Sequence, residues 1–70
     1  MERVAVRSRE IAIVGYESGT ETLEIAFRSG GVYQYDAVPE DLYRDLLTSS
    51  SIGVFFTQRI KDNFPYVKIH

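Results

Sequence analysis

Between Thr22 and Leu47 the spacing of apolar side chains changes from every second residue to a helical interval, so this stretch has to supply both strand and helix. In Thr22-Leu23-Glu24-Ile25-Ala26-Phe27, Leu23, Ile25 and Phe27 fall on one side of an extended chain and Thr22 and Glu24 on the other. Val32-Tyr33-Gln34-Tyr35 resumes the alternation after Arg28-Ser29-Gly30-Gly31, whose glycines supply the positive φ that a tight connection needs. Beyond Val38-Pro39-Glu40-Asp41 the apolar residues Leu42, Tyr43, Leu46 and Leu47 form a single helical stripe, leaving Glu40, Asp41, Arg44 and Asp45 for water.

The flanking segments extend this pattern. Ile11 to Tyr16 is apolar throughout and rich in β-branched residues, which predicts a buried strand, and Glu17-Ser18-Gly19-Thr20 turns the chain into the next one. The two hairpins together predict a three-stranded antiparallel meander. Proline is favoured in a first helical turn and carboxylates suit its positive dipole end, so a helix is expected from about Pro39 to Leu47. Thr48-Ser49-Ser50-Ser51 interrupts the stripe and offers an N-cap, after which Ile52, Phe55, Phe56 and Ile60 predict a second helix over Ile52 to Asp62. Phe64 to Ile69, with Pro65 near its start, reads as a short extended tail or edge strand. The expectation is one α+β domain over residues 1–70, a meander followed by two helices and that tail.

The side on which Tyr33 and Tyr35 lie depends on the count of residues in the preceding hairpin loop. A three-residue loop, Arg28-Ser29-Gly30, pairs Phe27 with Gly31 and Ile25 with Tyr33 and turns both tyrosines toward the core. A two-residue loop, Ser29-Gly30, pairs Phe27 with Val32 and turns them away. The odd loop is favoured, because it groups Gln34 with Glu24 on the outward side and keeps the alternation consistent.

Composition narrows the chemistry. The 70 residues include no cysteine, and the single histidine is the terminal His70, so disulfides, thiolate metal sites and a histidine-activated nucleophile have no components. Gly30-Gly31 leads from strand to strand and lacks the helix amides that hold a phosphate. No catalytic residue, metal ligand or cofactor is therefore assigned. A formal charge of −2 gives no long-range attraction for nucleic acid, and the basic residues form no run. No stretch approaches the length of a membrane span, and Met1 to Arg7 is too charged for a secretion signal, so a cytoplasmic, non-membrane protein is expected. Tyrosines two apart on a strand face the same way and could stack on bases, with Arg28, Arg59 and Lys61 as the nearest candidates for phosphates.

With these elements in place, Ile13-Val14-Gly15-Tyr16, the run from Thr22 through Phe27-Arg28-Ser29-Gly30-Gly31 to Tyr33-Gln34-Tyr35, and Val38-Pro39-Glu40 resemble the KTSC domain, a family named for its occurrence at the C-terminus of some lysyl-tRNA synthetases. The resemblance continues through Leu46-Leu47, Ser51-Ile52-Gly53, Phe55-Phe56 and Arg59-Ile60 to Phe64-Pro65-Tyr66. Phe55 stands where the family pattern suggests tyrosine and Thr57 where it suggests asparagine, which removes hydrogen-bonding options at the start of the second helix. The resemblance implies a small accessory domain, here in its stand-alone bacterial or phage-like form, with RNA as a candidate partner.

Two functional expectations result. One is a binder of RNA or single-stranded nucleic acid through Tyr33, Tyr35, Arg28, Arg59 and Lys61. The alternative is a protein-interaction or homodimerisation module without enzymatic activity, since a small chain rich in aromatics and lacking covalent staples gains stability by association.

Overall fold

The computed structural model describes residues 1–70. It arranges β1 (Glu2–Ala5), β2 (Ile11–Glu17), β3 (Thr22–Phe27), β4 (Val32–Tyr35), α1 (Glu40–Thr48), α2 (Ile52–Arg59) and β5 (Tyr66–Lys68) in that order. All five strands form one antiparallel sheet in sequence order, β1 to β5. The three-stranded meander is therefore the centre of a wider sheet. The C-terminal tail joins one edge, and β1 closes the other. No helix is long and apolar enough to cross a membrane.

The odd-loop register is the one observed. Ile25 stands opposite Tyr33 and Leu23 opposite Tyr35, while the Phe27 amide donates to the Gly31 carbonyl at 2.8 Å. Gly30 sits at φ 113°, a backbone conformation that a side chain would strain. Leu23, Ile25, Phe27, Tyr33 and Tyr35 consequently share the face on which the helices lie. The core formed there includes Ile11, Val14, Leu23, Ile25, Val38, Leu46 and Ile60, none of which is exposed at all. Each such side chain contributes about 1.5–3 kcal/mol by its removal from water.

Strand β2 departs from the fully buried strand predicted for Ile11 to Tyr16. Between the pairs Ile11 with Phe27 and Ile13 with Ala26 it carries one more residue than its partner, a β-bulge. The bulge keeps Ile11, Val14 and Tyr16 inward but turns Ile13 to the outer face, where it is 38% exposed. Both helices keep their predicted stripes, α1 displaced by one residue to end at Thr48 and α2 shortened at its C-terminal end. Pro39 is the residue before α1 instead of its first residue, and α2 stops at Arg59, short of Asp62, with Ile60 as its cap. Ser51 caps α2 as expected, accepting from the Val54 amide. The start of α1 is pinned to the sheet by the Val38 amide, which donates to Glu21, and by the Tyr16 hydroxyl, which donates to the Val38 carbonyl. Tyr16 also stacks on Tyr43 of α1, with centroids 4.6 Å apart and planes 9° from parallel.

No helix covers the opposite face. One row across it reads Arg3, Gly15, Glu24, Gln34, Val67. Gly15 has no side chain, so Arg3 reaches over β2 and its Nε donates to Glu24 at 2.8 Å, while the Gln34 amide donates to the same carboxylate at 3.1 Å. A Cβ on Gly15 would come within 3.1 Å of Arg3 Cγ and 2.8 Å of Met1 Sδ, so the crossing depends on this glycine. Glu24 faces outward as predicted, yet it is only 6% exposed beneath these partners. The next row, Ala5, Ile13, Ala26 and Val32 with Ile69 just beyond β5, is apolar throughout.

The hydrogen bond from Arg3 holds the Glu24 carboxyl below its ordinary value of 4.5; burial opposes this and the bond from Gln34 adds to it. A carboxylate with a depressed folded pKa contributes stability that is fully present above 4.5 and lost as pH falls through the folded value. Denaturant titrations from pH 6 down to pH 2 should therefore show a flatter acid limb for Glu24→Gln than for the wild type. Parallel acid limbs would show that the carboxylate is not linked to folding.

Candidate functional site

The aromatic side chains on the helical face leave a cleft of about 460 Å³ between β4, β5 and the end of α2. Its walls include Tyr33, Tyr35 and Tyr66 from the sheet and Phe56 from α2. Tyr66 stands beside both strand tyrosines, with centroids 5.8 Å from Tyr33 and 5.5 Å from Tyr35. Tyr33 meets Phe27 edge-on at 5.6 Å, and Tyr35 meets Phe56 edge-on at 5.4 Å. Offset and edge-on contacts of this kind hold rings in fixed orientations beyond what area burial provides.

These neighbours distinguish the three tyrosines. Tyr35 is 4% exposed, so its ring belongs to the core; its hydroxyl has no protein partner and reaches solvent at the cleft. Tyr33 is half-buried, with the Lys68 ammonium 6.0 Å from its ring centroid. Tyr66 is 57% exposed and offers the most open ring. The predicted pair thus becomes a trio in which the sequence missed its most accessible member. Tyr66 follows Pro65 in a tail whose docking position is set only by pairing with β4, so the local pattern could not place it beside Tyr33.

The predicted basic residues separate. Lys61 lines the cleft. Arg59 lies over the Phe55 ring, 5.4 Å from its centroid, one helical turn away on α2. Arg28 is committed to backbone, its Nε donating to the Ser8 carbonyl at 2.8 Å and its Nη2 to Val6 at 3.1 Å, and so clasps the β1–β2 connection to the β3–β4 hairpin. Thr57, expected to bear on the start of α2, lies in the second half of the helix, and its hydroxyl donates to the Gly53 carbonyl one turn earlier.

A second recess, of about 600 Å³, lies between the β1–β2 connection and the first turn of α2. Most of its lining residues are not hydrophobic, and they include Arg7, Arg9, Ser50 and Ser51. Glu10 and Thr57 border both concavities, so the two adjoin; together they are called the groove, with an aromatic end and an arginine-serine end. Arg7 and Arg9 make no ion pair, and neither do Lys61 and Lys68 at the aromatic end. Sequence reading could not find this juxtaposition, because the two ends come together only when α2 folds back over the sheet.

Burial, followed by the neighbouring Tyr66, Tyr33 and Asp62, pushes the Tyr35 phenol up from 10.0 to about 12. The neutral phenol is thus favoured in the folded state. Its contribution to stability is present below pH 10 and lost as pH rises through about 12. Ultraviolet titration of Tyr35→Phe should lack this late-ionising phenol, and its stability should fall less steeply over the same interval. A loss of amplitude centred near pH 10 instead, with the late phase intact, would place Tyr35 outside the core.

Comparison with known proteins places the chain. The family model of the KTSC domain matches residues 7–64. The crystal structure of a KTSC domain protein from Yersinia pestis superposes with a TM-score of 0.95 at 39% identity, covering 99% of this chain and 97% of that one. An uncharacterised protein of Stutzerimonas stutzeri is 39% identical over 61 residues, 87% of this chain and 86% of its own length. A lysine–tRNA ligase of Nostoc punctiforme is 41% identical over 54 residues, which are 77% of this chain but only 10% of that enzyme. The matched region, the identities and the shared fold agree: the chain belongs to the KTSC domain family.

Proposed function

We propose that this domain binds single-stranded RNA along the groove, with bases resting on Tyr66 and the exposed part of Tyr33 and phosphates meeting Lys61, Lys68, Arg7 and Arg9. The observation that carries this reading is the adjoining of an aromatic cleft and a recess with unpaired arginines, since single-strand binders combine stacking platforms with positive charge along the backbone path. The occurrence of a similar segment within lysine–tRNA ligases supports RNA as the polymer. Against the expected site, Tyr35 acts as a supporting wall, Arg28 as a structural clasp, and Arg59 stands over Phe55 outside the cleft lining. The net charge of −2 makes the local arrangement, not bulk attraction, the source of affinity.

A self-association module is the second reading, and it draws on a different surface. The uncovered sheet face presents Ile13, Val67 and Ile69 at 38%, 57% and 47% exposure. Sedimentation over a range of concentrations separates the two readings, because the groove and the sheet face lie on opposite sides of the molecule.

Fluorescence anisotropy with short unstructured RNA should show log affinity falling linearly with log salt concentration. Tyr66→Ala should weaken binding about tenfold or more, the scale of one lost base stack. Lys61→Ala and Lys68→Ala should each reduce the salt slope by about one. No detectable binding at low salt would sink the reading.

A further inference from the structure

Besides its rings and lysines, the aromatic end of the groove is lined by the carboxylates of Asp62 and Glu10. Neither carboxylate takes part in an ion pair or accepts a side-chain hydrogen bond. A site built only to attract phosphate would have no use for such groups, because they repel it. Their positions differ. Glu10 is at the hairpin side, where its backbone carbonyl accepts the Arg28 amide at 2.8 Å. Asp62 follows the end of α2 and lines the same cleft as Tyr35 and Tyr66, close enough for its charge to bear on the Tyr35 phenol.

An ionised carboxylate only accepts hydrogen bonds, and its two oxygens suit two neighbouring donors. Among the four RNA bases, guanine alone presents two adjacent donors, N1–H and the 2-amino group, on its Watson–Crick edge. Adenine and cytosine each set a ring-nitrogen acceptor beside their amino group, and uracil sets its single N–H between two carbonyls. A carboxylate facing a stacked base therefore accepts from guanine at two points and meets an opposing lone pair on each of the others. Unpaired bases held on aromatic rings are commonly read along this edge.

We propose that the aromatic cleft admits one unpaired guanine, stacked against Tyr66, with the Asp62 carboxylate accepting from its N1–H and 2-amino groups. This deepens the RNA-binding reading and rests on it. Lys61 and Lys68 then meet the flanking phosphates. The cleft volume of about 460 Å³ lies within the usual range for small-ligand sites, roughly 300–1,000 Å³, the size class to which a single nucleoside belongs.

The test compares five-nucleotide RNAs, UUGUU, UUAUU, UUCUU, UUUUU and UUGUU with inosine in place of guanosine, by anisotropy at fixed salt against the intact protein. UUGUU should bind about tenfold or more tighter than the other three natural sequences, the scale of one bidentate contact. Inosine, which lacks the 2-amino group, should fall between. In Asp62→Asn the ratio of UUGUU to UUAUU affinity should drop to within about twofold, with the circular dichroism and melting profile of a folded domain. Equal affinity for all four bases, weakened by Tyr66→Ala, would overturn the guanine assignment and leave RNA binding in place. A guanine preference that survives Asp62→Asn would overturn the role of Asp62. If no sequence binds, both the inference and the reading beneath it fail.

Discussion

The register in which Ile25 stands opposite Tyr33 decides on which side of the sheet each aromatic ring is found. A slip of one residue would turn Tyr33 and Tyr35 away from the helices and bring Val32 and Gln34 beneath them. Phe56 would then lose the Tyr35 ring it meets at 5.4 Å, and Tyr66 would lose both of its tyrosine neighbours. The cleft, the docking of β5 and the packing of α2 all depend on the three-residue loop that ends at Gly30.

Much of this arrangement was readable from local pattern. The alternation of Leu23, Ile25 and Phe27, the helical stripes through Leu46 and Phe56, and the turn chemistry of Gly30 agree with one another, and such agreement between levels makes a fold predictable. What escaped was decided by tertiary partners. β1 is short, exposed and charged, with nothing in its composition to mark a strand; it is held by pairing with β2 and by Arg3 reaching Glu24. The bulge that turns Ile13 outward cannot be seen in an uninterrupted apolar run.

The candidate site was less legible than the fold for a similar reason. Arg28 looks like a free cation beside a hairpin until Ser8 and Val6 are seen to engage its guanidinium. Tyr66 looks like part of a loose tail until β4 draws it against Tyr33 and Tyr35. Arg7 and Arg9, distant in sequence from every tyrosine of the cleft, come to border the same groove through Glu10 and Thr57. Residue type suggested which chemistry was available, but only the assembled surface showed which groups remained uncommitted.

The crossing of Arg3 over Gly15 bears on how the molecule opens. An edge strand with four exposed residues should peel away readily, as the ends of small sheets do. Here detachment of β1 would also strip a guanidinium from a carboxylate two strands away and leave Glu24 facing the sheet with Gln34 alone. Fraying at this margin is thereby coupled to the interior of the sheet. The outer strand stays closed over backbone amides that, if bared, would invite another chain to add to the sheet.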